Sequence, residues 1–297
     1  MKWLKEVLAQ ETAFILACPA LLWQTLFLYL PLAILLFYSL VDCQTHTFTL
    51  YYYLQILKSS YFKVILHSFI MAFSTGLITL MIAFPVACFL SFKVSERFRT
   101  FLLFSLILPS WTSLIVQIYA WFFLFNRQSF LSQILYRIGI LPADVGLLNS
   151  PFAIMVGMVA VYLPFMILPL FAVMEKIDKT VLEASADLGA NRYETLKRVI
   201  FPLSLPGIYS GFLLVFIPAF GEFAIPTLLG GSKIVLWGNL IVEKFLLSRD
   251  WQSGGAFVCF GILFPALIVG VIYVLSRIFV LVRTIKKVRQ EQHKDVW

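Results

Sequence analysis

Few side chains in this sequence have the types and spacing that covalent or metal chemistry needs. Three histidines and four cysteines are scattered along the chain, and no CxxC pair is present. They are His46, His67, His293, Cys18, Cys43, Cys88 and Cys259. A GxxxxGKS or GxxxxGKT run, which would cradle ATP phosphates, is also missing. We therefore predict that the chain has no catalytic residue, metal site or bound cofactor, and that it is not an enzyme.

The most unusual chemical group is the carboxylate of Glu222, which interrupts a long apolar stretch. A charge at the centre of a bilayer costs about 2.5–3.5 kcal/mol on insertion scales, so an acid in such a place is a functional candidate. Pro218 and Pro226 flank it and predict a broken helix, which is tolerated at membrane depth where it is buried or lines a cavity. Two interpretations stay open: Glu222 faces an aqueous path, or it lies nearer the outer membrane interface or pairs structurally with a partner subunit.

The elements that position these residues follow from composition. The chain has 297 residues, of which 61% are hydrophobic and 13% charged, and its mean hydropathy is +0.93. These values exclude an ordinary soluble domain. Six stretches are long enough to cross the hydrocarbon, which takes about 20 apolar residues. We predict an all-α, polytopic membrane protein that is one domain over 1–297, with six transmembrane helices at about 12–41, 64–92, 100–125, 151–174, 205–229 and 256–282.

The charged residues set the expected orientation and surface partners. Most of the 23 Lys and Arg residues fall in the segments that are cytoplasmic when the N-terminus is inside, so both termini are predicted to be cytoplasmic. The basic tail from Arg283 to Lys294 is expected to lie against anionic membrane lipid. Because the net charge of +8 is divided into short clusters between apolar runs, we predict no nucleic-acid partner.

Segment 175–204 is rich in charge and separates two apolar spans on the predicted cytoplasmic side. The run Thr180–Glu183 predicts a capping box at a helix start, and Gly189 predicts a left-handed turn that ends this helix. Asn191 predicts a second helix start, and Pro202 predicts its end. The expected structure is a short helix, a tight turn and another short helix, although such segments also occur as helices that only rest on lipid.

The residue pattern of this segment resembles a known family. Glu183-Ala184-Ser185, then Gly189, and then Val199, Phe201 and Pro202 match the spacing of the EAA motif of ATP-binding-cassette (ABC) importer permeases. Further similarity extends over most of the chain and points to permeases of spermidine and putrescine importers. It is carried by Leu108–Ser113, Tyr162–Met166, Glu175–Lys179, Gly221–Gly231, Gly238-Asn239 and Arg249–Trp251.

This resemblance implies a type I ABC importer permease in a bacterial cytoplasmic (inner) membrane. It implies that 175–204 is the coupling segment and that its docking residues are Glu183, Ala184, Asp187, Leu188 and Gly189. The implied partners are a second homologous permease, two cytoplasmic ATPase subunits that use ATP and Mg²⁺, and an extracytoplasmic substrate-binding protein. The chain itself would then translocate a polyamine.

A polyammonium solute would be attracted by an acid and held by aromatic faces through cation–π contacts. On this basis the candidate residues of the substrate path are Glu222, Trp111, Tyr119, Tyr162 and Gln117. Gln117 stands where related permeases often have a basic residue, two positions before a tyrosine. Three alternatives are a membrane-embedded enzyme, a self-sufficient secondary transporter and a permease for a different small solute.

Overall fold

A computed structural model describes residues 17–42, 47–139, 146–231 and 234–270, and this part of the chain is almost entirely helical. Its only β feature is an isolated bridge between Val41 and Phe48. The described helices are α1 (Ala17–Leu40), α2 (Tyr51–Ile56), α3 (Ser59–Phe92), α4 (Glu96–Trp111), α5 (Leu114–Phe125), α6 (Phe130–Arg137), α7 (Pro151–Met174), α8 (Lys179–Asp187), α9 (Arg192–Phe220), α10 (Trp237–Val242) and α11 (Trp251–Gly270).

Five of the described helices, α1, α3, α7, α9 and α11, are long and apolar enough to cross a membrane, and a bent pair makes a sixth when it counts as one span. The predicted all-α class is therefore confirmed, with five or six candidate membrane spans among the described residues. The predicted span 151–174 coincides with α7, whereas α3 begins before residue 64. Parts of the first and last predicted spans, 12–16 and 271–282, lie outside the described residues.

The third predicted span, 100–125, is divided in the structure. The helices on the two sides of the break meet at an angle of 92°. Pro109 lies in a tight helical turn at the end of α4, and Thr112 and Ser113 have extended backbone angles. Because proline removes one backbone donor and the next turn is not helical, the chain changes direction here.

The predicted helix end at Pro202 is wrong. Helix α9 starts at Arg192, passes through Pro202 and continues to Phe220, so the span begins inside the coupling segment rather than at residue 205. A π-turn over Leu196–Ile200 precedes the proline, and the Phe201 amide donates to the Leu196 carbonyl. This wider turn accommodates the missing donor of Pro202, which sits within the first two positions of the following α-helical stretch.

The chain divides into two units, and one of them is Ser59–Val242. Its core is formed by α3, α7 and α9, which pack on one another along their lengths. Small residues permit this close approach: a Cβ on Gly207 of α9 would stand 3.0 Å from the Pro169 carbonyl oxygen of α7. Lipid tails are as apolar as the helix surfaces, so the hydrophobic effect does not drive these helices together. Close van der Waals packing of this kind stabilises their association instead.

The other unit contains Met1–Lys58 and Glu243–Trp297. Within its described part, Gly255 of α11 lies against α1, where an added Cβ would meet the Leu35 carbonyl oxygen at 2.7 Å. The hydroxyls of Ser39 and Tyr53 share a 2.8 Å hydrogen bond, which joins the end of α1 to α2.

Candidate functional sites

Helix α8 opens the coupling segment, and its N-cap is Asp178. The Asp178 carboxylate accepts a 3.0 Å hydrogen bond from the Thr180 amide. This bond to the charged form holds the pKa of Asp178 below its usual range. The predicted capping box at Thr180–Glu183 is therefore wrong. Asp178 also belongs to the residue types that are preferred at the N-cap, and it lies two positions before Thr180, so the sequence does carry a signal for the observed helix start.

The turn after α8 is left-handed at Gly189, as the sequence predicts. Gly189 has φ +82°, in the left-handed region. Its amide donates to the Ala186 carbonyl at 2.8 Å, and the Ala190 amide donates to the Ser185 carbonyl at 3.1 Å. These two bonds form a Schellman motif, which satisfies the last carbonyls of the helix and fixes the direction of the exiting chain.

The start of α9 is equally well defined. The Asn191 side chain accepts from the Glu194 amide at 2.9 Å, and the Glu194 carboxylate accepts from the Asn191 amide at 3.0 Å. This is a capping box. The hydroxyls of Ser185 and Thr195 lie 3.0 Å apart and join α8 to α9 across the turn. The two helices of the coupling segment are thus held at a fixed angle.

All five predicted docking residues of the coupling segment lie on its exposed surface. Leu188, the residue before the turn, is 88% exposed, which is unusual for a leucine that ends a well-capped helix. Beside it is a groove of about 560 Å³, lined by Val181, Ala184, Gly189 and Arg198 among others. An exposed apolar tip next to a groove is typical of a surface that contacts another protein.

The helix around Glu222 is broken, as predicted from its flanking prolines. Helix α9 ends at Phe220, and the chain is irregular over 221–223 before a short helical segment, 224–230, begins. The Glu222 side chain is only 7% exposed, and its Oε1 accepts from the amides of Phe223 (3.0 Å), Ala224 (2.9 Å) and Ile225 (3.4 Å). The carboxylate therefore caps the segment that follows it.

The second oxygen of this carboxylate is bonded to α7. The Tyr162 hydroxyl donates to Glu222 Oε2 at 2.7 Å, and Tyr162 is itself 7% exposed. Two predicted path residues are thus brought together, but they engage each other rather than an open cavity. Glu222 is therefore held by Tyr162 of the same chain, a partner that neither interpretation of the sequence named.

Helix α10 packs directly on the break. A Cβ on Gly238 would lie 2.3 Å from the Gly221 carbonyl oxygen and 2.7 Å from that of Glu222. The side-chain Nδ2 of Asn239 donates to the Phe223 carbonyl at 3.1 Å and to Thr227 Oγ1 at 2.7 Å. Residues that are far apart in sequence therefore hold the irregular backbone in place.

The other predicted path residues lie at the bend of the third span. Gln117 Nε2 donates to the Pro109 carbonyl at 2.7 Å and to Thr112 Oγ1 at 3.1 Å, so its amide bridges α4 and α5. Trp111 is 73% exposed and makes an edge contact with Phe104. Tyr119 is 45% exposed and makes an edge contact with Phe122. These rings are available to a solute or a partner, whereas the Gln117 side chain is bonded to residues of the bend.

Comparison with known proteins decides the family. Residues 80–283 match the family model described as "Binding-protein-dependent transport system inner membrane component". The chain belongs to this family of ABC importer permeases. It is accordingly a multi-pass protein of the inner membrane.

Curated relatives of this permease cover most of its length. It is 39% identical over 239 residues to the spermidine/putrescine transport system permease protein PotB of Salmonella typhimurium (strain SL1344), covering 79% of this chain and 83% of the relative. Identity to PotB of Escherichia coli (strain K12) is 38%, covering 79% and 86%. The E. coli inner membrane ABC transporter permease protein YdcU is 29% identical over 217 residues, or 69% of each chain.

Solved structures show the same fold. The permease superposes on a chain from the crystal structure of a bacterial ABC transporter involved in the import of the acidic polysaccharide alginate, with a TM-score of 0.74. The match covers 93% of this permease and 99% of that chain at 15% identity. A second structure, the alginate transporter in complex with an alginate pentasaccharide-bound periplasmic protein, gives a TM-score of 0.70 at 16% identity, covering 89% and 93%. The predicted type I importer permease fold is confirmed.

One ion pair next to the coupling segment of the permease was not foreseen from the sequence. The Arg99 guanidinium of α4 lies 2.9 Å from the Glu175 carboxylate at the end of α7, and it also stands 5.7 Å above the Phe171 ring. Arg99 is one of the basic residues from which the cytoplasmic orientation is predicted. The pair ties the third span to the residue from which the coupling segment departs.

Proposed function

We propose that this permease translocates polyamines of the spermidine and putrescine type as one subunit of an ATP-driven importer. The observation that carries the proposal is the 39% identity to PotB over 239 residues, together with 83% coverage of that relative. The alginate importers share only the fold at 15% and 16% identity, so they do not favour a polysaccharide.

In the proposed assembly this chain pairs with a second, homologous permease. Two cytoplasmic ATPase subunits hydrolyse ATP with Mg²⁺, and an extracytoplasmic binding protein delivers the solute. The coupling segment docks on one ATPase through Glu183, Ala184, Asp187, Leu188 and Gly189, which are exposed around a rigid, capped turn. Both termini lie in the cytoplasm, on the same side as this segment.

The proposed solute path uses the aromatic and polar residues in two ways. Trp111 and Tyr119 present exposed ring faces, which suit ammonium groups linked by methylenes. Glu222 and Tyr162 hold the broken helix beside the path, and Gln117 holds the bend of the third span. The path is then lined by rings whose positions depend on these polar contacts.

Reconstitution of the full importer in proteoliposomes tests this function. We expect ATP inside the vesicles and the loaded binding protein outside to drive uptake of labelled spermidine or putrescine, and an alginate oligosaccharide to be excluded. Uptake by this chain alone, driven by an ion gradient, would support a secondary transporter instead. ATP-driven uptake of another solute with no polyamine uptake would keep the importer but overturn the polyamine assignment.

A further inference from the structure

A groove of about 490 Å³ lies where the end of α3 meets the coupling segment, and it adjoins the groove beside Leu188 at Ala190. Its walls are mainly apolar and include Phe84, Phe89, Leu182 and Leu196. Two cations, Lys93 and Arg192, complete the lining. We call it the basic-rimmed groove.

The positions of the two cations place the groove at a membrane boundary. Lys93 directly follows the last residue of the membrane-spanning helix α3, and Arg192 is the first residue of α9, which crosses back. Phe89, one turn inside α3, is 52% exposed. The apolar residues of α3 therefore lie on the hydrocarbon side of the groove, and the cations lie on the headgroup side.

The charges of the groove are uncompensated. Lys93 and Arg192 are exposed, and in the described part of the chain neither side chain forms an ion pair. Neighbouring cations behave differently, since Arg99 pairs with Glu175 and Arg198 lies 3.9 Å from Glu194. No acidic side chain is among the residues that line the groove. The site therefore favours a ligand that is both apolar and anionic.

We propose that the basic-rimmed groove binds one anionic phospholipid. Its phosphate lies between Lys93 and Arg192, and an acyl chain lies against Phe84, Phe89 and Leu196. A soluble anion would leave the apolar walls exposed, and an uncharged chain would leave two cations unpaired. Basic pockets between transmembrane helices on the cytoplasmic side are a known form of anionic lipid site.

The bound lipid would also act on the coupling segment. One wall of the groove is α3, and the other includes Leu182 of α8 and the first turns of α9. A phospholipid that fills the space between them braces the coupling segment against a core helix. The lipid site itself does not depend on which solute is carried.

The test uses the assembled importer in nanodiscs and a phosphatidylglycerol with a photoactivatable acyl chain. We expect the crosslinks to map to peptides from α3 around Phe89 and from 182–200. Each Lys or Arg at a membrane surface strengthens anionic lipid binding by about fivefold, so Lys93→Gln with Arg192→Gln should weaken it by about 25-fold. Arg97→Gln, which removes an exposed cation outside the groove, is the matched control and should leave labelling unchanged.

A double variant that conserves charge, Lys93→Arg with Arg192→Lys, should retain labelling. It distinguishes loss of the positive charges from a folding defect. Equal labelling of the Gln double variant and the wild type would overturn the proposal. So would crosslinks that map only to the second permease, since the lipid would then be bound outside the groove. Because labelling is measured without solute, a wrong polyamine assignment would leave this result unaffected.

Discussion

The hydroxyl of Tyr162 and the carboxylate of Glu222, which are 60 residues apart in sequence, lie 2.7 Å apart and are both buried. One carboxylate oxygen accepts a hydrogen bond from Tyr162 of α7, and the other accepts from three backbone amides at the start of segment 224–230. A buried charge is tolerated when its acceptor sites are used in this way. The pair therefore fixes the broken helix to the core of its unit.

We predict that Glu222→Gln and Tyr162→Phe both lower the maximal rate of polyamine uptake and leave KM little changed. A hydrogen bond to a charged group contributes about 1.5–3 kcal/mol, so losing it loosens the break without removing a solute contact. Uptake kinetics of inserted variants, normalised to protein level and basal ATPase activity, measure this. A large rise in KM for Glu222→Gln alone, with Tyr162→Phe unaffected, would show instead that the acid contacts the solute.

Gly189 provides a second prediction, because its φ of +82° suits glycine and asparagine but not a β-branched residue. An added Cβ there meets no atom of this chain within 4 Å, so no clash within the chain is expected, and Gly189→Asn controls for the bulk of a side chain against the ATPase. Gly189→Val should reduce transport per ATP hydrolysed, whereas Gly189→Asn should keep most of it. ATPase and uptake assays on the same preparation decide. Normal coupling in the valine variant would mean that the segment only rests on lipid.

The Arg99–Glu175 pair provides a third prediction through charge reversal. Arg99→Glu should weaken coupling by placing two acids together, and adding Glu175→Arg should restore part of it. Recovery will be partial because the swap does not restore the contact of Arg99 with the Phe171 ring. The side chains are 19% and 42% exposed, so the effect on stability should be small, at most about 1 kcal/mol. No recovery in the double variant would mean that the pair does not act as a tie.

Gly238 provides the fourth prediction. Gly238→Ala would push a methyl group to 2.3 Å from the Gly221 carbonyl oxygen, and overpacking of this kind costs about 1–3 kcal/mol. Gly221→Ala is the matched control from the same contact, since its Cβ would lie 3.9 Å from the nearest atom, Pro218 O. Thermal unfolding in detergent should show a lower midpoint for Gly238→Ala only. Equal midpoints would show that α10 can shift away from the break.

The sequence by itself determined the features that depend on local composition and backbone preference. Long apolar runs predicted six spans, because crossing the hydrocarbon requires internally bonded helices. Gly189 predicted the left-handed turn, and Pro218 and Pro226 predicted the break around Glu222. Each of these follows from residues that are neighbours in the chain.

Only the tertiary structure decided which groups meet. Pro202 predicted a helix end, but the π-turn before it lets α9 continue. Gln117 suggested a solute contact, yet the folded chain uses its amide to bridge a 92° bend. Glu222 has a partner that the sequence did not name, because the packing of α7 places Tyr162 beside it. The physical reason is that a polar group's partner is set by how helices pack across a bilayer, and hydropathy along the chain carries no information about that contact.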